Sequence, residues 1–215
     1  MSKLVIIAGP QAAGKSMVVA QLGCQPYNVA PLFPGGKPPL LFPLQESRQI
    51  IAHKYMLLGA IFMSLDQELD VVNCDLGRMD LILQRAQNNI VYVDECNIFT
   101  IAHAAAHGVT EVERYWDEYL TRLRKLNAAV IFLDVPPDIS WDRRRRRYEQ
   151  RLVYFPEDQH ETILRQYQDY LVKLRPLLLG VYDRLPFPKA IVDGHCSEEN
   201  VIKMVCEQLA EFTTR

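Results

Sequence analysis

The chain has 215 residues, of which 49% are hydrophobic and 23% are charged, and its formal net charge is -2. This composition excludes a disordered chain and predicts one domain over residues 1–215, because two full domains usually need a longer chain. The charge provides no overall positive field for nucleic acid or an anionic membrane, so any anion site has to be local.

The cysteines and the apolar runs indicate in which cellular compartment the protein is expected. The five cysteines are odd in number and scattered, which predicts a reducing cytoplasm and argues against a disulfide framework or a zinc site. The apolar run at 4–8 is too short for an export signal. The run at 56–65 is about half of the roughly 20 residues that span a bilayer, so we expect no membrane partner.

The chain begins with a pattern typical of a phosphate-binding loop. An apolar run at 3–8 predicts a buried parallel strand, and 15–22 has helical composition. The turn between them fits Gly-x-x-x-x-Gly-Lys-Ser, whose amides surround phosphates while its lysine reaches the outer phosphates and its serine holds Mg²⁺. We therefore expect ATP and Mg²⁺ as cofactors. The predicted nucleotide contacts are Gly9, Gln11, Ala12, Ala13, Gly14, Lys15 and Ser16, with Lys15 also catalytic and Ser16 a metal ligand.

The next segment, about residues 24–45, is rich in proline and predicts a long loop on the acceptor side. Within it, Gly35-Gly36-Lys37 suits either a flexible acceptor-site loop or a plain surface excursion. Apolar residues at helical spacing then predict a helix over 45–64 and a shorter one over 76–86.

The remainder of the chain alternates strands with helices. Buried strands are predicted at 89–94, 128–134 and 189–193, and helices at 98–107, 111–126, 139–151, 157–179 and 198–212. This alternation predicts an α/β fold of three layers, with a central parallel sheet covered on both faces.

Acidic residues end the predicted strands, where α/β proteins gather their chemistry. Asp94 is expected to be a magnesium ligand, and Glu95 to orient a nucleophile or act as general base, so both are candidate catalytic residues. The alternative is that these acids cap the following helix. For Asp134 and Asp193, capping or loop hydrogen bonds are the preferred interpretation.

An arginine-rich helix predicts a lid over about residues 139–160. Arg143, Arg147 and Arg151 share one stripe of this helix and are expected to contact ATP, with Arg143 and Arg147 stabilising the transferred phosphoryl group. The alternatives are a solvated charged face and a nucleic-acid patch. A second pattern, His103 and His107 at i, i+4, lacks a third metal ligand, so helix packing is preferred for it.

Three motifs follow one another along the chain: the phosphate loop, then Val91-Tyr92-Val93-Asp94-Glu95, then Leu133-Asp134-Val135-Pro136-Pro137-Asp138 followed by arginines. Together and in this order, they resemble the P-loop kinases of the deoxynucleoside and thymidylate kinase group. The resemblance implies a P-loop NTPase fold with a helical arginine-rich lid. It also implies that Lys15 and Ser16 bind ATP and magnesium, and that the lid contacts come from Arg143, Arg145, Arg147 and Arg151. Val192-Asp193-Gly194 is similar to the last strand of that group, whose following loop lies near adenine.

Two departures from the group concern the acceptor. The group usually has arginine after the acid of the middle strand, where this chain has Glu95 and Cys96, and its second strand and base-binding acid are not recognisable between Tyr27 and Glu46. Candidates for acceptor contacts are Glu46, Arg48, Asp75, Arg78 and Asp80.

Three functions follow from these residues. The first is an ATP-dependent phosphotransferase that moves the γ-phosphoryl group to a nucleoside, nucleotide or similar hydroxyl acceptor. The second is a kinase acting on a modified nucleotide within DNA, which keeps nucleic acid open as a partner. The third is a nucleotide-dependent ATPase or GTPase switch without an acceptor. A homodimer also stays open.

Overall fold

The computed structural model describes residues 3–24, 40–44, 46–55, 63–85 and 90–214. Over these residues one parallel sheet contains β1 (Leu4–Ala8), β2 (Leu40–Pro43), β3 (Ile90–Glu95), β4 (Ala129–Asp134) and β5 (Lys189–Asp193). The strand order is β2-β3-β1-β4-β5, so β1 lies at the centre. The chain crosses from β3 over β1 to β4, and the carboxyl ends on either side of β1 form the switch point where α/β proteins bind ligands.

Helices cover both faces of this sheet. They are α1 (Lys15–Cys24), α2 (Ser47–Lys54), α3 (Leu65–Arg85), α4 (Thr100–Ala106), α5 (Trp116–Lys125), α6 (Pro137–Arg151), α7 (His160–Arg184) and α8 (Glu198–Thr214). Short 3-10 turns occupy Asn97–Phe99, Glu111–Tyr115, Leu152–Tyr154 and Glu157–Gln159. The three-layer α/β prediction is therefore confirmed. None of the described helices is long and apolar enough to cross a membrane.

Strand alternation assigns side chains to two separate cores. Leu4 and Ile6 of β1 pack with residues of α3 to α7, whereas Val5 and Ile7 pack with α1 and α8. Because β1 is buried on both faces, its sequence is a continuous apolar run. The same period of two places neighbouring residues of β3 on opposite faces of the sheet.

The proline-rich segment contains a strand that the sequence did not predict. Leu40–Pro43 forms β2 and pairs in parallel with β3 at the edge of the sheet. Proline is tolerated at an edge, where its missing amide removes no hydrogen bond from an inner ladder. The stretch 25–39, including Gly35-Gly36-Lys37, lies outside the described residues.

The boundaries of the next two helices also differ from prediction. The helix predicted over 45–64 ends at Lys54 as α2, and α3 begins at Leu65 instead of residue 76. The Gln67 amide donates to Ser64 Oγ at 3.4 Å, and the Ser64 amide donates to Gln67 Oε1 at 2.9 Å. This reciprocal capping box starts α3, and the apolar spacing that crosses it concealed the boundary.

The capping box predicts a measurable contribution to stability. Replacing Ser64→Ala removes the side-chain acceptor of the Gln67 amide, and we expect the free energy of unfolding in urea to fall by about 1 kcal/mol. Ser64→Asp, which keeps an acceptor oxygen, should lose less. Equal unfolding free energies for the two variants would show that the cap does not stabilise α3.

Candidate active site

The loop at residues 9–16 lies between β1 and α1, at the switch point of the sheet. Gly9 has φ 143°, and a Cβ there would lie 2.4 Å from the carbonyl oxygen of Leu133, so this position requires glycine. Gly14 has φ 91° and directly precedes the first residue of α1. The unpaired amides and positive dipole end of α1 therefore belong to the loop, as anion binding requires.

Lys15 is held at the mouth of this loop. Its side chain is buried, and its Nζ donates to the carbonyl oxygens of Gly9 and Pro10, each at 3.0 Å. The residue also lines the cleft described below. The ammonium group therefore lies within a few ångströms of the loop amides, where it can neutralise the phosphates of a bound nucleotide.

Glu95 and Ser16 form a pair of oxygen groups beside the loop. Glu95 is aligned with Ile7 of β1, and Ser16 Oγ donates to Glu95 Oε2 at 2.9 Å. Burial and the nearby Glu46 carboxylate raise the pKa of Glu95 above its usual range. A serine hydroxyl and a carboxylate are ligands that suit Mg²⁺, so these two residues fit a magnesium ion.

Asp94 lies on the other face of the sheet, as the alternation of β3 requires. It accepts hydrogen bonds from Arg78 Nη2 at 3.0 and 3.2 Å and from Asn97 Nδ2 at 2.9 Å. Burial raises its pKa to about 7, opposed by Arg78 and reinforced by Asp75. The structure thus brings Glu95, and not Asp94, to Ser16, and the magnesium role of Asp94 stays a prediction.

The arginine helix α6 packs against the phosphate loop. Arg143 Nη1 donates to the carbonyl oxygens of Gly194 at 2.9 Å and Ala12 at 3.3 Å. Gln11 Oε1 accepts hydrogen bonds from Arg144 and, at 2.6 Å, from Tyr148 OH. The arginine-rich helix is therefore joined to both the phosphate loop and the loop after β5.

The phosphate loop, Glu95 and the arginines of α6 line one cleft of about 640 Å³. Its phosphate side is lined by residues 11–17, Glu95, Arg143, Arg144, Arg147, Arg151, Gly194, Cys196, Glu198 and Val201. Its other side is lined by Glu46, Arg48, Gln49, Ala52, His53 and His103. A cleft of this size suits a small-molecule ligand.

The arginine stripe predicted from spacing lines this cleft in full, through Arg143, Arg147 and Arg151. The positive charge of Arg144 lowers the pKa of Arg147, as expected for crowded cations. Arg144 was missed as a site residue because it lies off the stripe. Arg145, expected from the family resemblance to contact ATP, does not line the cleft and pairs with Glu149 at 2.8 Å.

The five acceptor candidates divide into three groups. Glu46 and Arg48 line the cleft. Asp75 and Arg78 lie behind it and do not line it, and Asp80 pairs with Arg122 at 2.9 Å on the partly exposed side of α3. Of these five residues, only Glu46 and Arg48 therefore line the cleft.

A buried ion pair supports the side of the cleft that Glu46 and Arg48 line. Arg48 makes two hydrogen bonds to Glu68, one of them from Nη1 at 2.8 Å, and His107 Nδ1 lies 3.3 Å from Glu68 Oε1. Glu68 is fully buried, which by itself would raise its pKa, but Arg48 and His107 lower the pKa below its usual range. Glu68 was missed because nothing in its sequence context marks it as buried.

The histidine pair has the packing role that the sequence favoured. His103 Nδ1 lies 2.7 Å from Tyr170 OH, and His107 stacks on the same ring at 4.9 Å between centroids. Burial lowers the pKa of His103 well below its usual range. Across the described parts of the chain, no group of three acidic, histidine or cysteine residues forms a metal cluster.

The other two strand-end aspartates make structural bonds. Asp134 forms two bonds with Arg175, at 2.9 and 2.7 Å. Asp193 accepts the amide of His195 at 2.8 Å. The loop-bonding interpretation of Asp193 is confirmed, whereas Asp134 pairs with α7 instead of capping a helix.

Comparisons with known proteins show the same fold. No protein-family model matches this sequence, and no curated protein is similar to it in sequence. Among solved structures, a deoxyadenosine kinase from M. mycoides with products dCMP and a flexible dCDP bound superposes with a TM-score of 0.61 at 11% identity. That match covers 97% of this chain and 99% of the kinase. A structure of deoxyadenosine kinase from M. mycoides with bound dATP gives a TM-score of 0.56 at 17% identity, covering 96% and 98%.

The chain therefore shares its fold with these deoxyadenosine kinase structures. This agrees with the fold that the sequence predicted from its motifs. At these identities the similarity concerns the fold, and the residues of the cleft have to carry any argument about activity.

The Arg48–Glu68 pair predicts a pH dependence of stability. The folded pKa of Glu68 is lowered, so ionised Glu68 stabilises the fold above its unfolded pKa of about 4.3, and this stability is lost as pH falls through the folded pKa. We expect Glu68→Gln to lose about 3–5 kcal/mol at neutral pH, since it leaves Arg48 buried without its partner charge. The deficit relative to wild type should shrink on acidification.

Urea unfolding of both proteins between about pH 3 and pH 7 measures this difference. Asp80→Asn is a matched control, because it breaks an ion pair of the same helix whose side chains are partly exposed. It should change the unfolding free energy by less than about 1 kcal/mol. A Glu68→Gln deficit that stays constant with pH would contradict the assignment.

Proposed function

We propose that this protein is an ATP- and Mg²⁺-dependent phosphotransferase that moves the γ-phosphoryl group to a hydroxyl of a nucleoside, nucleotide or similar acceptor. The observation that carries the proposal is the composition of the cleft. The phosphate loop, five arginines and three carboxylates line one space of about 640 Å³. Phosphoryl transfer needs these groups together, because its catalysis consists mainly of positioning and charge stabilisation.

The phosphate side supplies the nucleotide contacts. Lys15 and the loop amides suit the β- and γ-phosphates of ATP. Ser16 and Glu95 are the residues that would hold magnesium. Asp94 would then contact no ligand and would support the end of β3 through its bond to Arg78. Bound magnesium would neutralise charge that develops on the phosphate oxygens.

The lid side supplies fixed positive charge. Arg143, Arg147 and Arg151 line the cleft along one face of α6 and can reach the migrating phosphoryl group. Their helix is already bonded to the phosphate loop through Gln11, which keeps the guanidinium groups close to the transferred phosphate.

The acceptor side supplies a carboxylate of its own. Glu46 lines the cleft next to Arg48 and interacts electrostatically with Glu95. We infer that Glu46 polarises the acceptor hydroxyl while Glu95 serves the metal. This division of roles follows from Ser16, which holds Glu95 on the nucleotide side.

A nucleotide-dependent switch is the second candidate. The favouring observation is the Glu95 carboxylate beside Ser16, since an acid next to the metal site can also orient a water molecule. DNA as the acceptor is a variant of the first function, favoured by the exposed Arg146 on the lid helix.

An assay of ADP release separates these functions. Wild-type protein is incubated with ATP and Mg²⁺, alone and with nucleosides, nucleotides, and DNA with and without modified bases. We expect a free nucleoside or nucleotide to stimulate turnover. Stimulation by DNA alone points to the DNA variant, and turnover that no acceptor changes would contradict a kinase.

Lys15→Ala serves as the active-site control in the same assay. We expect it to reduce turnover at least about a hundredfold, because the charge that stabilises the phosphates is removed. Lys173→Ala changes an exposed lysine of α7 and should leave turnover unchanged. Equal turnover in both variants would place the reaction outside this loop.

A further inference from the structure

The buried carboxylate of Asp75, in the middle of α3, joins several elements of the fold. It is fully buried. Its oxygens accept hydrogen bonds from Ser47 Oγ of α2, Arg78 Nη2 at 3.0 Å, Thr100 Oγ1 of α4 at 3.1 Å and Tyr119 OH of α5 at 2.9 Å. One carboxylate thus fixes the relative positions of four helices, and none of its atoms lines the cleft.

The same cluster extends to the end of β3. Arg78 Nη2 bonds Asp75 and also both carboxylate oxygens of Asp94, at 3.0 and 3.2 Å. Asp94 directly precedes Glu95, whose side chain faces Ser16 in the cleft. A continuous series of charge-assisted bonds therefore connects α2 to the strand end that carries the proposed metal ligand.

The contact with α2 is the one closest to residues that line the cleft. Ser47 is the first residue of α2, is itself buried, and stands between Glu46 and Arg48, which both line the cleft. Helix α2 has only 8 residues, and no side chain caps its first turn. A helix this short is not stable alone, so its position depends on tertiary contacts such as the Ser47–Asp75 bond.

We propose that Ser47 and Asp75 are positioning residues for the acceptor. The Asp75 carboxylate holds the first turn of α2 so that Glu46 and Arg48 face the same cleft as Glu95. The inference rests on the proposed function, because it concerns how that reaction aligns its acceptor. A displacement of about 1 Å from the reactive geometry can lower a rate about a hundredfold, so a residue outside the cleft can control the reaction.

Two variants that each delete one hydroxyl donor to Asp75 provide a matched comparison. Ser47→Ala releases the turn that carries Glu46 and Arg48, whereas Tyr119→Phe releases α5, from which no described residue lines the cleft. We expect Ser47→Ala to lower kcat/KM for the acceptor about tenfold or more, with KM for ATP changed less than about twofold. Tyr119→Phe should change both less than about twofold, and Ser47→Thr, which keeps the hydroxyl, should restore acceptor kinetics.

Amide hydrogen exchange over residues 47–54 gives a second readout that needs no activity. Ser47→Ala should speed exchange in this helix, and Tyr119→Phe should not. Equal kinetics and equal exchange in the two variants would overturn the positioning role. A selective rise in exchange, with no acceptor stimulating wild-type turnover, would show that the Ser47–Asp75 bond holds α2 but would reject the proposed function.

Discussion

The turn after β1 is the constraint on which the rest of the site depends. The carbonyl oxygen of Leu133 leaves no space for a side chain at Gly9, and the backbone there adopts a conformation that glycine favours. This close approach fixes the loop against β4 and sets where α1 begins, at Lys15. The amides, Lys15 and Ser16 are therefore held in place by the fold itself, before any ligand binds.

A second constraint is the alternation of β3. It places Glu95 on the face covered by α1, where Ser16 lies, and Asp94 on the face covered by α3, where Arg78 lies. Two adjacent carboxylates thereby acquire different surroundings and different proposed roles. One belongs to the cleft, and the other belongs to the buried cluster that connects the sheet with α2 and its acceptor-side residues.

Much of the fold could be predicted because the inner strands β1 and β4 are buried on both faces, and the phosphate loop and the Arg143–Arg147–Arg151 stripe depend on local spacing alone. Other features depend on tertiary contacts that spacing does not encode. Sequence could not assign Glu95 to Ser16, because the face of the sheet that α1 covers is set by packing. It also missed β2, since proline is tolerated only because that strand lies at an edge. It missed Glu68 as well, whose partners are Arg48 of α2 and His107, the residue after α4. The start of α3 did have a local signal, Ser64 followed by Gln67, which apolar spacing obscured.

In the proposed function, α6, the phosphate loop and α2 arrange charge around one transferred phosphoryl group. The account depends on where the phosphates and the metal bind. A crystal structure with a non-hydrolysable ATP analogue and Mg²⁺ measures this directly. We expect the β- and γ-phosphates within hydrogen-bond distance of the amides of residues 13–16, and the metal near Ser16 and Glu95. Phosphates bound outside this loop, or a metal held by Asp94 without Glu95, would contradict the account.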